Sequence, residues 1–180
     1  RVKAEVEKAL LPKKEYVLRV PLSALQRAWY QNVLTKASGA TELVSASQLS
    51  AKIMQLQKIC NHPKAVVLQF DRDRAAARRT AARAAGSEHI QVRGTELGPE
   101  AMRMEAELRA LGGSSLAAAS GKLAVLDRLL VRKKIAGSRV LLFSQYTLAL
   151  DVLEEFCARQ YGRAGYLRLD GATNRIDREM

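Results

Sequence analysis

The pattern that most restricts the fold lies between residues 139 and 170. Residues 139–143, RVLLF, form a short apolar run behind a Gly-Ser turn, as is typical of a strand buried on both faces. Residues 147–160 place apolar side chains at helical spacing, and residues 166–170, YLRLD, have the composition of a second strand. Because a strand, a helix and a strand in this order make a βαβ unit, the sequence predicts an α/β fold with a parallel sheet.

A strand and a helix are predicted near the beginning of the chain. Residues 15–23 alternate apolar and polar side chains, which predicts a short, half-buried strand. Ser23 is a suitable cap for the helix that follows. The apolar residues of this helix recur at helical spacing and should face the core: Leu22, Leu25, Trp29 and Val33.

The tetrapeptide Cys60-Asn61-His62-Pro63 lies at the end of a second predicted helix, whose buried stripe is Leu49, Ile53, Leu56 and Cys60. Pro63 disfavours helical backbone at His62 and should end the helix there. A closed zinc site needs four ligands, but the chain has only one further cysteine and one further histidine, Cys157 and His89. We therefore predict no metal site and assign structural roles to Cys60, His62, Pro63 and Trp29.

Between residues 69 and 119 the composition changes to alanine, arginine, glycine and serine. Helices can form at 73–85 and 98–110, but neither segment shows a convincing apolar face, so we predict a mobile insertion or linker. Two interpretations stay open for its arginines, a solvated basic run or an arm that contacts nucleic acid: Arg72, Arg74, Arg78, Arg79 and Arg83.

The charge balance favours an anionic partner. The chain has 30 basic and 18 acidic residues and a formal net charge of +12, which suggests nucleic acid first and an acidic membrane surface second. No apolar run is long enough to span a bilayer, so no membrane is expected as a partner. Two cysteines cannot make a disulfide framework, which indicates a reducing intracellular compartment.

Polar residues follow both predicted strands of the βαβ unit. Ser144 and Gln145 follow the first strand, and Gly171 and Thr173 follow the second. Ligands of open parallel sheets bind beyond the carboxyl ends of the strands, so these residues should face one groove. Hydroxyl, amide and backbone donors can hold a phosphate backbone without reading its sequence. Ordinary turn and cap roles are an equally good interpretation of the residues alone.

Two other patterns carry no predicted chemistry. Residues 112–123 superficially resemble a phosphate-binding loop, but the spacing fails and Leu123 replaces the hydroxyl that would bind magnesium. The carboxylates of Asp151, Glu154 and Glu155 are expected to form an ordinary solvated helix face rather than an acid-base pair.

Several segments, in the right order, resemble the Snf2 family of helicase superfamily 2 motors. "SGKL", "LDRLL", "GSRVLLFSQYTLALDVLEEF" and "YLRLDGAT" look like the start of the second RecA-like lobe, with "LLFSQ" similar to motif IV. Upstream, residues 2–34 resemble the end of the first lobe and the helical protrusion, and "IMQLQKICNHP" resembles the family's LRKxCNHP segment. The likeness covers roughly residues 1–66 and 120–180, and the motif sequences most resemble those of the ISWI and CHD remodellers.

The resemblance implies a helical protrusion followed by the first βαβ portion of a RecA-like helicase C-terminal lobe. Four parts follow from it. Residues 1–22 are the end of the first lobe and a connecting strand, and residues 23–68 are the protrusion. Residues 69–119 are the insertion or linker, and residues 120–180 are the truncated start of the second lobe.

The function implied by the resemblance is that of a nuclear, ATP-dependent DNA translocase that remodels nucleosomes. Its partners would be double-stranded DNA, nucleosomes with their histones, and further remodeller subunits. The DNA-binding residues would be Ser144, Gln145, Gly171, Thr173, Arg175 and Arg178.

ATP and magnesium would be bound mainly by residues outside this chain. The phosphate-binding loop, the Asp-Glu box and the arginine fingers of the family are missing from its sequence. Because phosphoryl transfer needs all of them together, the 180 residues alone are expected to be inactive. The alternative is a stand-alone basic α/β module that binds nucleic acid and has no motor activity.

Overall fold

The computed structural model describes residues 13–38, 45–84, 99–110 and 116–174. These ranges contain seven α-helices and a short 3-10 turn at Arg163–Gly165. No helix in them is long and apolar enough to cross a bilayer. The helices are α1 (Ala24–Ser38), α2 (Ala46–Asn61), α3 (Pro63–Ala84), α4 (Pro99–Ala110), α5 (Leu116–Ala119), α6 (Gly121–Ile135) and α7 (Thr147–Tyr161).

The predicted α/β fold is wrong, because the described ranges contain no β-strand. The segments 15–23, 139–143 and 166–170 lie outside regular secondary structure, so neither a βαβ unit nor a RecA-like sheet forms. Most of their apolar side chains face solvent, with Phe143 90% exposed and Leu167 98% exposed, whereas Tyr166 packs against a hydrophobic cluster. A strand gains its stability from hydrogen-bonded neighbours and covered faces, and an apolar composition by itself supplies neither.

Helix α1 begins with a capping box, which confirms the predicted cap at Ser23. The Ser23 hydroxyl accepts a hydrogen bond from the Gln26 N–H at 3.0 Å, and the Gln26 side chain accepts one from the Ser23 N–H at 3.0 Å. The apolar face of α1 is also confirmed, since Trp29 and Val33 are buried.

Helix α2 ends at Asn61, as predicted from the proline, and Pro63 is the first residue of α3. Proline is favourable there because the first N–H of a helix has no intrahelical partner. The predicted stripe of α2 is wrong in part: Leu49 and Ile53 are exposed, whereas Ile59 is fully buried. The fully buried residue of α2 lies at the end nearest this proline. The apolar spacing therefore predicted a longer buried face for α2 than the structure has.

A first hydrophobic cluster joins α1, α2, α3 and α4, with the fully buried Trp29 and Ile59 among its members. Helix α4 docks on it through Met104, which is 4% exposed, although the sequence showed no convincing apolar face there. The Trp29 indole N–H also donates to Glu107 Oε2 at 3.0 Å. This hydrogen bond is the main cause that holds the pKa of Glu107 below its usual value.

A second cluster joins α6 and α7, with Leu123, Val152 and Phe156 buried in it. Helix α3 contributes Leu68 to this cluster and Val66 to the first one, so α3 is the wall shared by both. The four domain ranges of the sequence analysis stay predictions. Residues 85–98 and 111–115 of the expected insertion lie outside the described ranges.

Substituting Gly121 by alanine should destabilise the fold. A Cβ atom at Gly121 would lie 2.0 Å from the carbonyl oxygen of Pro21, and a backbone atom cannot rotate away as a side chain can. We expect a loss of about 1–3 kcal/mol, the usual range for overpacking. Gly171→Ala is the matched control, since a Cβ there meets nothing within 4 Å. Equal urea midpoints for the two variants would contradict this close approach.

Candidate nucleic-acid interface and the polar junction beside it

The ends of three helices meet around the fully buried side chain of Gln26. Its Nε2 donates to the carbonyls of Ile59 at 2.7 Å and Cys60 at 3.2 Å. Its Oε1 accepts from the N–H groups of Ser23 at 3.0 Å and Gly121 at 3.1 Å. Helix ends leave such groups without intrahelical partners, so one amide satisfies the end of α2 and the beginnings of α1 and α6.

Two serines complete this polar junction. The Ser120 hydroxyl donates to the Asn61 carbonyl at 2.7 Å and accepts from the Leu123 N–H at 3.4 Å, so that it caps α6. The Ser23 hydroxyl donates to the Ala119 carbonyl at 2.8 Å. The junction therefore ties the α5–α6 segment to α1 and to the end of α2.

The buried imidazole of His62 links α3 to α5. Its Nδ1 accepts from the Lys64 N–H at 3.0 Å, so Nε2 carries the proton and donates to the Leu116 carbonyl at 2.9 Å. Burial lowers the pKa of His62, and the hydrogen bond to Leu116 only partly opposes this effect. Both ring nitrogens are engaged in the fold, which leaves neither of them available to a metal or a substrate. Pro63 beside it is buried, and Cys60 is half-buried.

A group of ion pairs centres on Arg168. Its guanidinium contacts carboxylate oxygens of Asp151 at 2.8 Å, Glu154 at 2.7 Å and Asp170 at 2.7 Å. Burial alone would lower the pKa of Arg168, but these three hydrogen-bonded carboxylates outweigh it and raise the pKa above its usual value. Arg72 of α3 reaches the other oxygen of Asp151 at 2.6 Å. The group thus connects α3, α7 and the segment 166–170.

The acidic face of α7 is not the ordinary solvated face that the sequence predicted. Besides the two carboxylates bound by Arg168, Glu155 pairs with Lys64 of α3 and with Arg159 at 2.6 Å. Residues from three different parts of the chain therefore neutralise this face. Only the Glu155–Arg159 pair, at i,i+4 spacing, follows from a local sequence pattern.

Residues 170–173 form a tight turn after the segment held by Arg168. The Asp170 carboxylate accepts from the Ala172 N–H at 2.8 Å, and the Thr173 hydroxyl oxygen accepts from the Asp170 N–H at 2.9 Å. The N–H of Ala172 first, and Arg168 second, lower the pKa of Asp170. Because the Thr173 oxygen acts as an acceptor in this bond, its own O–H proton can be donated outward.

Ser144 and Gln145 precede α7. The Ser144 hydroxyl accepts from the Tyr146 N–H at 3.2 Å, which is local turn chemistry, and Gln145 is exposed. Ser144 also lines an open cleft with an apolar floor that includes Leu123 and Val152.

The structure does not bring the predicted nucleic-acid-binding residues to one sheet edge. Their shared groove was inferred from adjacent parallel strands, which the described residues do not form. Ser144 and Gln145 precede α7, whereas Gly171 and Thr173 lie in the turn after the segment 166–170. Arg175 and Arg178 lie outside the described residues.

The segment around Gly121 does not have the form of a phosphate-binding loop. The Gly121 N–H is bound to Gln26 at 3.1 Å, and the Lys122 ammonium contacts Asn61 Oδ1 at 2.8 Å, so this segment does not present a phosphate cradle. Within the described ranges, no three or more His, Cys, Asp or Glu side chains come together as a metal site.

The most connected residues of this region are those that sequence reasoning missed. Gln26 carried a usable signal, because Ser23 and Gln26 have the spacing of a capping box. Its bonds to Ile59 and Gly121 had no signal, since they join residues 33 and 95 positions apart. The sequence predicted no role for Arg168 beyond its place in the predicted strand 166–170.

Known proteins match the chain over nearly its full length. Residues 1–65 match the SNF2-related domain. The chain is 37% identical to the SWI/SNF-related matrix-associated actin-dependent regulator of chromatin subfamily A member 1 of Homo sapiens, over 99% of the chain and 14% of that protein. It is 36% identical to the ISWI chromatin-remodeling complex ATPase ISW1 of Saccharomyces cerevisiae, over 99% of the chain and 13% of that protein.

A third relative is the Chromodomain-helicase-DNA-binding protein 8 of Danio rerio. It is 31% identical over 95% of the chain and 6% of its own length. The chain therefore spans no more than 14% of the length of any of these three relatives.

Replacing Gln26 by methionine should destabilise the protein strongly. Methionine has a similar shape but leaves the buried carbonyl of Ile59 and the N–H of Gly121 without their partner, at about 1–3 kcal/mol for each group. Gln31→Met on the exposed side of the same helix is the matched control and should change stability little. The measurement is the free energy of unfolding in urea. Similar values for both variants would contradict the role of the amide.

Stability should fall as the pH is lowered from about 7.5 to 5.0. The pKa of His62 is lower in the folded protein than its unfolded value of about 6.5. The unfolded state therefore binds more protons in this window, and the stability present above the unfolded pKa is lost with acid. Urea unfolding at several pH values measures the effect. His62→Gln should flatten the dependence; a steep dependence in His62→Gln would assign it to other groups.

Proposed function

Because the chain belongs to the Snf2 family, we propose that the whole protein is an ATP-dependent DNA translocase that remodels nucleosomes in the nucleus. The observation that carries this proposal is the identity of 36–37% along 99% of the chain to proteins named as a regulator of chromatin and as a chromatin-remodeling ATPase. ATP and magnesium would be held mainly by parts of the protein outside these 180 residues. The proposed partners are double-stranded DNA, nucleosomes with their histones, and further remodeller subunits.

Within that function, the turn at residues 170–173 contributes a contact to the DNA backbone. The Thr173 hydroxyl uses its oxygen inside the turn, which leaves its proton for a phosphate oxygen. The nearby Asp170 carboxylate would repel a phosphate if it were uncompensated, but Arg168 binds it at 2.7 Å. The turn can therefore present a donor to an anion beside an acid whose charge is offset in part, since Arg168 also pairs with Asp151 and Glu154.

Contacts of this kind are made to phosphate and do not read bases. They should be indifferent to DNA sequence and weakened by salt. The net charge of +12 supports the same partner, since a basic surface raises the local concentration of a polyanion. The exposed amide of Gln145 is a further candidate donor in the segment before α7.

The alternative is a basic module that binds nucleic acid without a motor. The two functions differ in one measurable property, the coupling of DNA binding to ATP hydrolysis. If the full-length protein hydrolyses ATP faster when duplex DNA is added, the translocase is supported. Tight DNA binding with no stimulation of ATP hydrolysis would support the alternative.

In the full-length protein, Thr173→Ala should slow nucleosome sliding and weaken duplex binding without changing nucleotide affinity. Loss of one donor costs about 0.5–1.5 kcal/mol for a neutral bond, which is roughly 2- to 12-fold in affinity, and somewhat more for a bond to phosphate. Thr173→Ser keeps the hydroxyl and both of its bonds and is the matched control. Sliding and nucleotide affinity are measured on the same preparations. Intact sliding in Thr173→Ala, or a parallel fall in nucleotide affinity, would assign the turn a different role.

A further inference from the structure

The first half of helix α3 has its charges neutralised by neighbouring residues. Lys64 pairs with Glu155 of α7, and Arg72 pairs with Asp151 of α7 at 2.6 Å. Arg74 pairs with Asp71 within α3 at 2.9 Å. These three cations are paired with carboxylates of the protein itself and are therefore poorly available to a partner.

Beyond Arg74, the arginines of α3 that the structure describes lack such ion pairs. Arg72 already lies beside the first residue of α7, with its guanidinium 3.4 Å from the Thr147 hydroxyl. Residues 78 and 79 lie roughly 9 Å farther along the helix axis, at about 1.5 Å per residue, and so extend past the beginning of α7. Arg78 and Arg79 are exposed and make no ion pair with any residue of the described ranges.

The composition of this half of α3 restricts the kind of partner. Residues 75–80 are all exposed and comprise three alanines, two arginines and one threonine, whose hydroxyl bonds to its own helix at 3.1 Å. A protein partner usually requires a large apolar or aromatic anchor at the centre of the interface, and none is present in residues 75–80. Guanidinium groups bind phosphate oxygens in a fork, and small neighbours such as alanine allow the helix to approach a polymer closely.

We propose that Arg78 and Arg79 of α3 form a second contact with the phosphate backbone of duplex DNA, separate from the turn at residues 170–173. The choice of DNA among anionic polymers rests on the proposed function. The location rests on the compensation of charges along α3, which neutralises the cations up to Arg74 and leaves the next two without a described carboxylate.

The test is the salt dependence of duplex binding by the full-length protein without nucleotide. Arg78→Ala/Arg79→Ala should lower the slope of log affinity against log salt by about 1.8, at about 0.9 for each lost phosphate contact. Alanine favours helix, so α3 should persist. Arg78→Lys/Arg79→Lys should retain most of the slope. Arg132→Ala/Lys133→Ala in α6 removes the same charge from another exposed site and is the matched control.

The control separates location from net charge. A reduced slope for the α3 alanine variant with a nearly unchanged slope for the α6 variant would support the contact. Equal reductions in both variants, or no reduction in the first, would overturn it. Tighter binding of polyglutamate than of duplex DNA at equal ionic strength, lost in the α3 variant, would overturn it in favour of an acidic protein partner.

The outcomes also distinguish this contact from the proposed function. DNA-stimulated ATP hydrolysis together with an unchanged slope in the α3 variant would remove only the second contact. Absence of duplex binding by the parent protein would overturn both.

Discussion

The arrangement of the helices depends on the buried side-chain amide of Gln26, which forms hydrogen bonds with backbone groups at the ends of three helices. Burying a polar side chain is unfavourable unless its donors and acceptors are bonded, and the ends of helices add further unpaired groups. At Gln26 both sets of polar groups find their partners, since its oxygen and nitrogen bond to backbone groups of α1, α2 and α6. Ser23 extends the same junction to α5, and His62 links α5 to α3.

Charge compensation sets what the surface can do. The carboxylates of α7 hold Arg72, Lys64 and Arg168, and thereby fix α3 and the segment 166–170 against α7. Arg168 also pairs with Asp170 in the turn that presents Thr173. The same pairing leaves Arg78 and Arg79 of α3 uncompensated within the described ranges. Stability and the proposed contacts with DNA therefore depend on one distribution of charges.

Periodicity predicted the helices well and the strands badly. The buried faces of α1 and α7 follow from apolar residues at helical spacing, as Trp29 and Val152 show. A helix makes its hydrogen bonds within one segment, so local sequence is sufficient to indicate it. The apolar run at 139–143 looked equally clear, but strands need partners, and these residues remain exposed. The docking of α4 was missed because it depends on few contacts, those of Met104 and Leu108 and the hydrogen bond from Trp29 to Glu107.

The sequence by itself determined the family, the cap at Ser23 and the end of α2 before Pro63, since each depends on residue types within a short segment. The tertiary structure alone decided which carboxylates neutralise which cations, and that the Gln26 amide joins three helices. The physical reason is sequence separation. Gln26 bonds to groups 33 and 95 residues away, and Arg72 pairs with a carboxylate 79 residues away. Such pairs form only when the chain has packed, so no local sequence pattern predicts them.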